Sequence, residues 1–276
     1  MSVVLHVSDP HFGTEQAPVV EALVALARQQ QPDLVVMSGD ITQRARSAQF
    51  GAARRLVERL AAPTVVIPGN HDIPLFNVGA RLTRPYAGFR VAFGDELEPV
   101  HRSDQLLVIC VNTTRWYRHK NGEVSVDQIE RVAAELARAS PAQLRVVVVH
   151  QPAAVLREKD AHDLLRGHVE ALRRWAAAGA DLVMGGHIHL PYVLAVPHGA
   201  RTVWVVQAGT AVSSRVRAGT VNSVNLVRWQ GDAGGGLSDG LSDGLSDGYC
   251  QVEQWDYAVD QRCFVPGPRT QVRPAR

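Results

Sequence analysis

Short runs of β-branched and other apolar residues recur along the first two thirds of the chain, and segments with helical spacing separate most of them. Continuous runs of this kind are typical of strands that are buried on both faces of a sheet. The predicted strands are Val3–Val7, Leu34–Met37, Thr64–Ile67, Leu106–Val111, Arg145–Val149 and Leu182–Met184. The predicted helices are Val19–Gln30, Ala48–Leu60, Val126–Ala139 and His162–Ala178. This alternation predicts an α/β architecture.

The pattern changes after Pro191, where further apolar runs follow one another without helical segments between them. These predicted strands are Val193–Val196, Thr202–Gln207, Val224–Trp229, Cys250–Tyr257 and Arg262–Val265. They indicate a second sheet, and packing of this sheet on the first would give a sandwich of two sheets flanked by helices. We expect one domain over residues 1–276.

Residues 231–248 interrupt this last group of strands. After a run of glycines, the sequence Leu-Ser-Asp-Gly occurs three times in tandem. Such a segment has too few apolar groups to compensate the entropy lost on ordering. We therefore expect a low-complexity, disordered hairpin insertion.

Composition narrows the class of protein. The chain has 276 residues, of which 46% are hydrophobic and 20% charged, as in ordinary globular proteins. Its 29 basic and 27 acidic residues give a net charge of +2, which argues against a nucleic-acid partner. No apolar run is long enough to cross a membrane. Since Met1-Ser2 leads directly into a strand without a basic leader or a cleavage site, we expect a cytoplasmic protein.

The three cysteines, Cys110, Cys250 and Cys263, are odd in number and lack the spacing of metal ligands. Reduced thiols are the expected state. A bridge between Cys250 and Cys263 on neighbouring strands is the alternative.

The chemistry of the chain is concentrated in five polar motifs, each of which follows a predicted strand. They are Asp9-Pro10-His11, Gly39-Asp40, Gly69-Asn70-His71-Asp72, His150 and Gly186-His187-Ile188-His189. Ligands of α/β sheets bind beyond the carboxyl ends of the strands. Carboxylate, amide oxygen and imidazole groups are ligands of divalent metal ions. The motifs therefore predict a dinuclear metal site.

Spacing supports this prediction. Asp9 and His11 are two positions apart, so an extended chain directs both side chains to one side, where they can hold one ion. His187 and His189 repeat this spacing at another strand end. Gly39 allows a sharp turn before Asp40, and a single carboxylate can bridge two metal ions about 3.5–4 Å apart.

The ordered set resembles the calcineurin-like metallophosphoesterase superfamily, whose pattern is D-x-H, G-D, G-N-H-[DE], a lone His and G-H-x-H. The match extends from Asp9 to His189. The resemblance implies a four-layer αββα sandwich of two mixed sheets, with the C-terminal strands in the second sheet. It also implies two sets of metal ligands that share a bridging Asp40. One set is Asp9, His11 and His189, and the other is Asn70, His150 and His187.

The same resemblance implies a mechanism. In that mechanism a hydroxide bridging the two metal ions would attack phosphorus, while the ions and Asn70 would hold the non-bridging oxygens. His71 corresponds to the catalytic histidine of the superfamily, and Asp72 is expected to orient it. The metal ions are expected to be Mn, Fe, Zn or Co, since the ligand set accepts each of them.

The sequences of Gly39–Gln43 and Gly69–Pro74 are similar to those of a bacterial branch called class III cyclic-nucleotide phosphodiesterases. This similarity implies hydrolysis of phosphodiester bonds in a small phosphorylated substrate, with cyclic nucleotides as candidates. Many members of that branch have His-His-Pro where this chain has His150-Gln151-Pro152. The alternatives are a phosphomonoesterase, a nucleotide pyrophosphatase and, more remotely, a metal-free protein-binding scaffold. The oligomeric state is open.

A basic and aromatic segment, Asn112–Lys120, supplies candidate substrate contacts in Arg115, Trp116 and His119. Arginine pairs with phosphate, and tryptophan stacks on bases. The alternative is a solvated loop. The histidines outside the motifs are otherwise expected to be structural or exposed, and these are His6, His101, His162, His168 and His198.

Overall fold

Two six-stranded sheets form the framework of the described residues, 1–231 and 249–274, in a computed structural model. The strands are β1 (Ser2–Val7), β2 (Leu34–Met37), β3 (Thr64–Val66), β4 (Val100–Arg102), β5 (Leu106–Cys110), β6 (Leu144–Val148), β7 (Leu182–Gly185), β8 (Tyr192–His198), β9 (Arg201–Gln207), β10 (Ser223–Gln230), β11 (Tyr249–Ala258) and β12 (Cys263–Val272). The first sheet has the order β12-β11-β10-β1-β2-β3, and the second has β4-β5-β6-β7-β9-β8. Both sheets contain parallel and antiparallel pairs.

The helices of the described residues are α1 (Ala17–Gln30), α2 (Ser47–Leu60), α3 (Val78–Thr83), α4 (Ala87–Phe93), α5 (Val126–Leu136) and α6 (His168–Ala177). Helices α1 and α2 pack on the first sheet, and α5 and α6 pack on the second. Two short 3-10 helices occupy Asn70–Asp72 and Glu158–Asp163. None of the helices in the described residues is long and apolar enough to cross a membrane.

Three hydrophobic clusters separate the four layers. Side chains alternate between the faces of a strand, so in β1 Val3, Leu5 and Val7 pack with helices α1 and α2. Val4 instead joins a cluster formed by strands of both sheets. A third cluster packs α5 and α6, including the buried Trp175, on the second sheet. The predicted αββα sandwich of mixed sheets is therefore confirmed.

The placement of the C-terminal strands differs from the prediction that they form the second sheet. Only β8 and β9 join that sheet. β10, β11 and β12 extend the first sheet instead, because β10 pairs antiparallel with β1, with Val4 opposite Val227. Apolar strand patterns do not specify the partner strand, so the sequence pattern could not decide between the two sheets.

Some element boundaries also differ. The predicted helix His162–Ala178 begins only at His168, because Gly167 has φ +85° and interrupts the helical backbone. Of the preceding residues, His162 and Asp163 belong to the 3-10 helix Glu158–Asp163. Strand β4 and the bounds of helices α3 and α4 were not predicted. The structure describes residues 1–231 and 249–274, so all of the predicted insertion 231–248 except Gly231 lies outside the described residues.

The alternative bridge between Cys250 and Cys263 is wrong. In the register of β11 and β12, Cys250 lies opposite Val272, whereas Cys263 lies opposite Ala258. The two thiols are therefore at opposite ends of the hairpin.

Candidate metal centre

The five polar motifs meet where the two sheets pack together. They follow β1, β2 and β3 of the first sheet and β6 and β7 of the second. Hydrogen bonds between loops of the two sheets hold the motifs in position. His150 Nδ1 donates to the Ser38 carbonyl oxygen at 2.8 Å, and the His187 amide donates to Asp9 Oδ2, also at 2.8 Å. The position of the site thus depends on the packing of the two sheets.

Glycines precede several of the polar residues because no side chain fits there. A Cβ at Gly69 would overlap the backbone and carboxylate of Asp40, and one at Gly186 would overlap Ser8 Oγ and Asp9 Oδ2. Gly39 has φ +100°, and a Cβ there would overlap the His150 ring. The glycines of the motifs therefore allow three loops to approach one another closely.

The site also holds backbone in a conformation that L-residues rarely adopt. Five candidate ligands have positive φ angles, namely Asp9 (50°), His11 (43°), Asp40 (48°), His187 (74°) and His189 (53°). The left-handed region costs roughly 1–2 kcal/mol per residue. Concentration of this strain in one place is typical of functional sites.

The first group of candidate ligands consists of Asp9, His11 and His189. His189 Nε2 lies 3.2 Å from Asp9 Oδ1, and His11 Nε2 lies 3.7 Å from the same oxygen. The two imidazole Nε2 atoms are 3.0 Å apart. The three donor atoms therefore surround one small volume.

The second group lies beside the first. Asp40, His150 and His187 bring their donor atoms together. His150 Nε2 is 3.3 Å from Asp40 Oδ1 and 3.2 Å from Asn70 Oδ1. Asp40 also reaches the first group, since its Oδ2 is 3.7 Å from His11 Nε2. The carboxylate of Asp40 thus lies between the two groups.

Several donor atoms of these groups have no partner that would explain their burial. Asp9 Oδ1 and both ring nitrogens of His187 accept or donate no hydrogen bond within the described residues. Buried polar atoms are normally hydrogen-bonded or bound to an ion. The donor set of carboxylates, imidazoles and an amide therefore fits divalent metal ions.

The tautomers of two histidines agree with ligation. The Nδ1 atoms of His150 and His189 donate to the carbonyl oxygens of Ser38 and Arg215, at 2.8 and 2.6 Å. A neutral imidazole that donates through Nδ1 has its lone pair on Nε2. Both Nε2 lone pairs therefore face the site, as metal ligation requires.

The electrostatics keep the carboxylates ionised. Burial opposes the charge on Asp40, but the imidazoles of His150, His71 and His11 hold its pKa well below the usual range. Burial likewise opposes the charge on Asp9, and His189 lowers the pKa of Asp9 below its usual range. Ionised carboxylates are the form that binds metal ions.

A buried chain of hydrogen bonds ends at the Asp9 carboxylate and includes His6, a residue expected to be structural or exposed. Asn225 Nδ2 contacts His6 Nδ1 at 3.4 Å, and His6 Nε2 contacts Ser38 Oγ at 2.9 Å. Ser38 Oγ donates to Ser8 Oγ, which donates to Asp9 Oδ2 at 2.6 Å. The sequence signal for this chain of hydrogen bonds was a pair of polar residues, His6 and Ser8, at the end of an otherwise apolar, buried run that begins at Val3.

The expected role of Asp72 is wrong in one respect, because its carboxylate does not contact the His71 ring. It accepts instead from the backbone amides of Gly69, Ile41 and Thr42 and from the Thr42 hydroxyl. His71 is oriented by the Gln43 carbonyl, which accepts from Nδ1 at 3.0 Å. Asp72 therefore ties the loops after β2 and β3 together.

The candidate substrate contacts of the 112–120 segment lie in different surroundings. The Arg115 guanidinium donates to the carbonyls of Asn112 and Thr114 and to Gln128, so it holds its own loop instead of facing the metal groups. Trp116 is exposed and packs on Tyr117. Partial burial, and then the neighbouring charges of Arg81 and His71, lower the pKa of His119.

Two residues beside the site were missed. Asp163 Oδ1 lies 3.7 Å from His187 Nε2 and 2.6 Å from Lys120 Nζ. Arg215 Nη1 lies 3.3 Å from both His71 Nε2 and His11 Nδ1. Neither residue follows a recognisable motif, so only the tertiary structure reveals them.

The family model described as calcineurin-like phosphoesterase matches residues 2–191. A probable cyclic nucleotide phosphodiesterase of Synechococcus is 27% identical over 192 residues, covering 66% of this chain and 67% of the relative. A cAMP/cGMP dual specificity phosphodiesterase of Mycobacterium tuberculosis is 26% identical over 205 residues, covering 68% of this chain and 61% of the relative. A dimetal phosphatase from Danio rerio shares the fold, with a TM-score of 0.65 at 11% identity and 99% coverage of both chains.

We expect Gly186→Ala to lower the bound metal, because the new Cβ would displace Asp9 Oδ2. Overpacking of this kind costs typically about 1–3 kcal/mol. Elemental analysis after loading with Mn²⁺ measures the metal, and thermal unfolding measures stability.

Gly51→Ala is the matched control for Gly186→Ala. Gly51 lies within α2, and its added Cβ would meet only Arg55 Nη1, at 3.7 Å. Equal metal content in the two variants would contradict the close approach described for Gly186.

Proposed function

We propose that this chain, which belongs to the calcineurin-like phosphoesterase family, hydrolyses phosphodiester bonds at a centre that holds two divalent metal ions. The observation that carries the proposal is the position of Asp40. Its two carboxylate oxygens reach toward His11 and His150, at 3.7 and 3.3 Å, and so toward both groups of candidate ligands.

The proposed ligands divide between the two ions as the motifs suggest. One ion would be held by Asp9, His11 and His189, the other by Asn70, His150 and His187, and both by Asp40. When bound, two such ions polarise a phosphoryl oxygen and supply an activated water at neutral pH. The remaining chemistry belongs to the side chains around them.

Asn70 would bind a non-bridging phosphate oxygen through its Nδ2 amide, since its Oδ1 lies toward His150. His71 would carry the proton for the leaving group. Its Nδ1 donates to the Gln43 carbonyl, so a second proton on Nε2 is the one that can be transferred. Asp72 holds the loop that bears His71 through its bonds to Ile41 and Thr42.

We propose cyclic nucleotides or similar small diesters as the substrate class. Both relatives compared above are named as cyclic nucleotide phosphodiesterases. Gln151, which stands where the similar branch has a second histidine, is fully buried and bonds Thr113 and the Lys120 carbonyl. It would therefore hold the 113–120 loop instead of contacting substrate.

We propose Mn, Fe, Zn or Co as the metal ions, because the ligand set accepts each of them. A phosphomonoesterase or nucleotide pyrophosphatase is the alternative activity of the same site. The cytoplasmic location remains a prediction.

Removal of the metal is the main test. Chelation should abolish hydrolysis of bis-nitrophenyl phosphate, and Mn²⁺ should restore it. Asp40→Ala should lose both ions and all turnover, because no neighbouring side chain can replace the shared carboxylate. Metal analysis and steady-state rates measure both effects, and the exposed Asp104→Asn is a control for the loss of one charge.

Undiminished turnover by metal-free Asp40→Ala protein would exclude the dinuclear mechanism. Rates on nitrophenyl phosphate and on 2′,3′- and 3′,5′-cyclic AMP extend the same test to the substrate. Diesters should be hydrolysed faster, and faster monoester turnover would instead identify a phosphatase.

A separate prediction concerns the proton carried by His71. His71→Ala should keep its metal ions and lose about 10²–10⁴-fold in rate on alkyl diesters. The loss should be smaller on nitrophenyl esters, whose leaving group needs no proton. Equal losses on both substrates would show that His71 positions substrate, and loss of metal would make it a ligand.

A further inference from the structure

Arg215 lies in the loop between β9 and β10, and this loop is fixed against the one that carries Asp9 and His11. Thr210 Oγ1 donates to the Asp9 carbonyl at 2.6 Å, and the Ala211 amide donates to Ser8 at 2.9 Å. The Ser214 amide donates to the Thr14 carbonyl at 2.8 Å. The backbone on both sides of Arg215 is therefore held in place by the motif loop itself.

The backbone of Arg215 also orients a candidate ligand. Its carbonyl accepts from His189 Nδ1 at 2.6 Å, and its amide donates to Ser213 Oγ at 3.1 Å. The Cα of Arg215 thus has a defined position next to the metal groups, and its half-buried side chain extends from there over His11 and His71.

The guanidinium contacts an amide oxygen and two imidazole rings. Nη1 donates to Gln43 Oε1 at 2.9 Å and lies 3.3 Å from His71 Nε2 and from His11 Nδ1. No carboxylate forms an ion pair with it in residues 1–231 and 249–274. Arg217 differs, because its Nη2 is 2.6 Å from Asp160 Oδ1.

Ligation would remove one of these contacts. An imidazole that binds a metal ion through Nε2 carries its proton on Nδ1, so His11 could then accept nothing from Arg215. The guanidinium has five N–H donors in a fixed fork, of which Nη1 alone makes the contacts above. A cation with unused donors beside a phosphoesterase centre is suited to an anion.

Gln43 links this cation to the proposed proton carrier. Its side-chain oxygen accepts from Arg215, and its backbone carbonyl accepts from His71 Nδ1. One residue therefore positions both groups on the same side of the metal centre, where the phosphate and its leaving oxygen would lie.

We propose that Arg215 is a catalytic residue whose guanidinium binds the non-bridging oxygens of the substrate phosphate beside His71. The proposal rests on the proposed function of the site. Guanidinium forks match phosphate oxygens in a bidentate geometry and stabilise charge that develops there. Because Arg215 lies outside residues 2–191, this contact comes from the part of the chain beyond the family match.

The test compares the wild-type protein with Arg215→Ala and Arg215→Lys. Metal content is measured first, and the affinity of the Mn²⁺-loaded proteins for inorganic phosphate is then measured by calorimetry. Arg215→Ala should keep its metal ions and bind phosphate about 10- to 100-fold more weakly. Arg215→Lys should recover only part of the affinity, because an ammonium group lacks the fork.

Arg228→Ala is the control for the lost charge. Arg228 pairs with Val3 at the amino end of β1, at the opposite end of the strand from the motifs, and bonds Gln30. The phosphate affinity of the Arg228→Ala protein should equal that of the wild type. Added guanidinium chloride at low concentration should partly restore hydrolysis to Arg215→Ala and leave Arg228→Ala unchanged.

Unchanged phosphate affinity in metal-loaded Arg215→Ala would overturn the proposal, and so would a wild-type protein that binds no phosphate. Loss of metal in Arg215→Ala would also overturn the proposal, because the side chain would then be needed for metal binding and not for phosphate binding. If Arg215→Ala does not fold, Arg215→Lys decides by the same comparison. Wild-type protein that binds phosphate through Arg215 but hydrolyses no ester would contradict the proposed function alone.

Discussion

Asp40 places an ionised carboxylate where the two sheets meet, and the surrounding structure compensates its burial. An uncompensated buried ion costs several kcal/mol even after relaxation of the protein. Asp40 Oδ1 accepts a hydrogen bond from the His71 amide at 2.8 Å, and the carboxylate lies near the imidazoles of His11 and His150. Gly39 and Gly69 leave the space that this arrangement needs. The close approach of the loops, the strained backbone and the ionised carboxylates all follow from the need to compensate this buried charge.

The site consequently depends on the whole sandwich. Asp9 and Asp40 come from the first sheet, whereas His150 and His187 come from the second. The cluster that packs Val4 and Val36 against Val146 and Met184 sets the distance between the sheets. Ions bound across this interface would stabilise the folded state in proportion to their affinity. Stability and metal content are thus expected to change together.

The C-terminal third contributes more than a scaffold. β10 pairs with β1 and supplies Asn225 to the chain of hydrogen bonds that ends at Asp9. The loop before β10 brings Arg215 to His71 and orients His189. The family match ends at residue 191, before either feature. These contacts with the site therefore come from outside the family match.

The sequence by itself determined the αββα fold class, most of the strands and the residues that gather around Asp40. Those predictions succeeded because buried strands leave continuous apolar runs, and because metal-binding side chains follow the strands at short, readable spacings. Ligation itself stays a prediction. Only the tertiary structure decided that β10–β12 join the first sheet, that Gln43 and not Asp72 orients His71, and that Arg215 lies beside it. Such facts depend on which distant segments pack together, and local spacing along the chain carries no information about that.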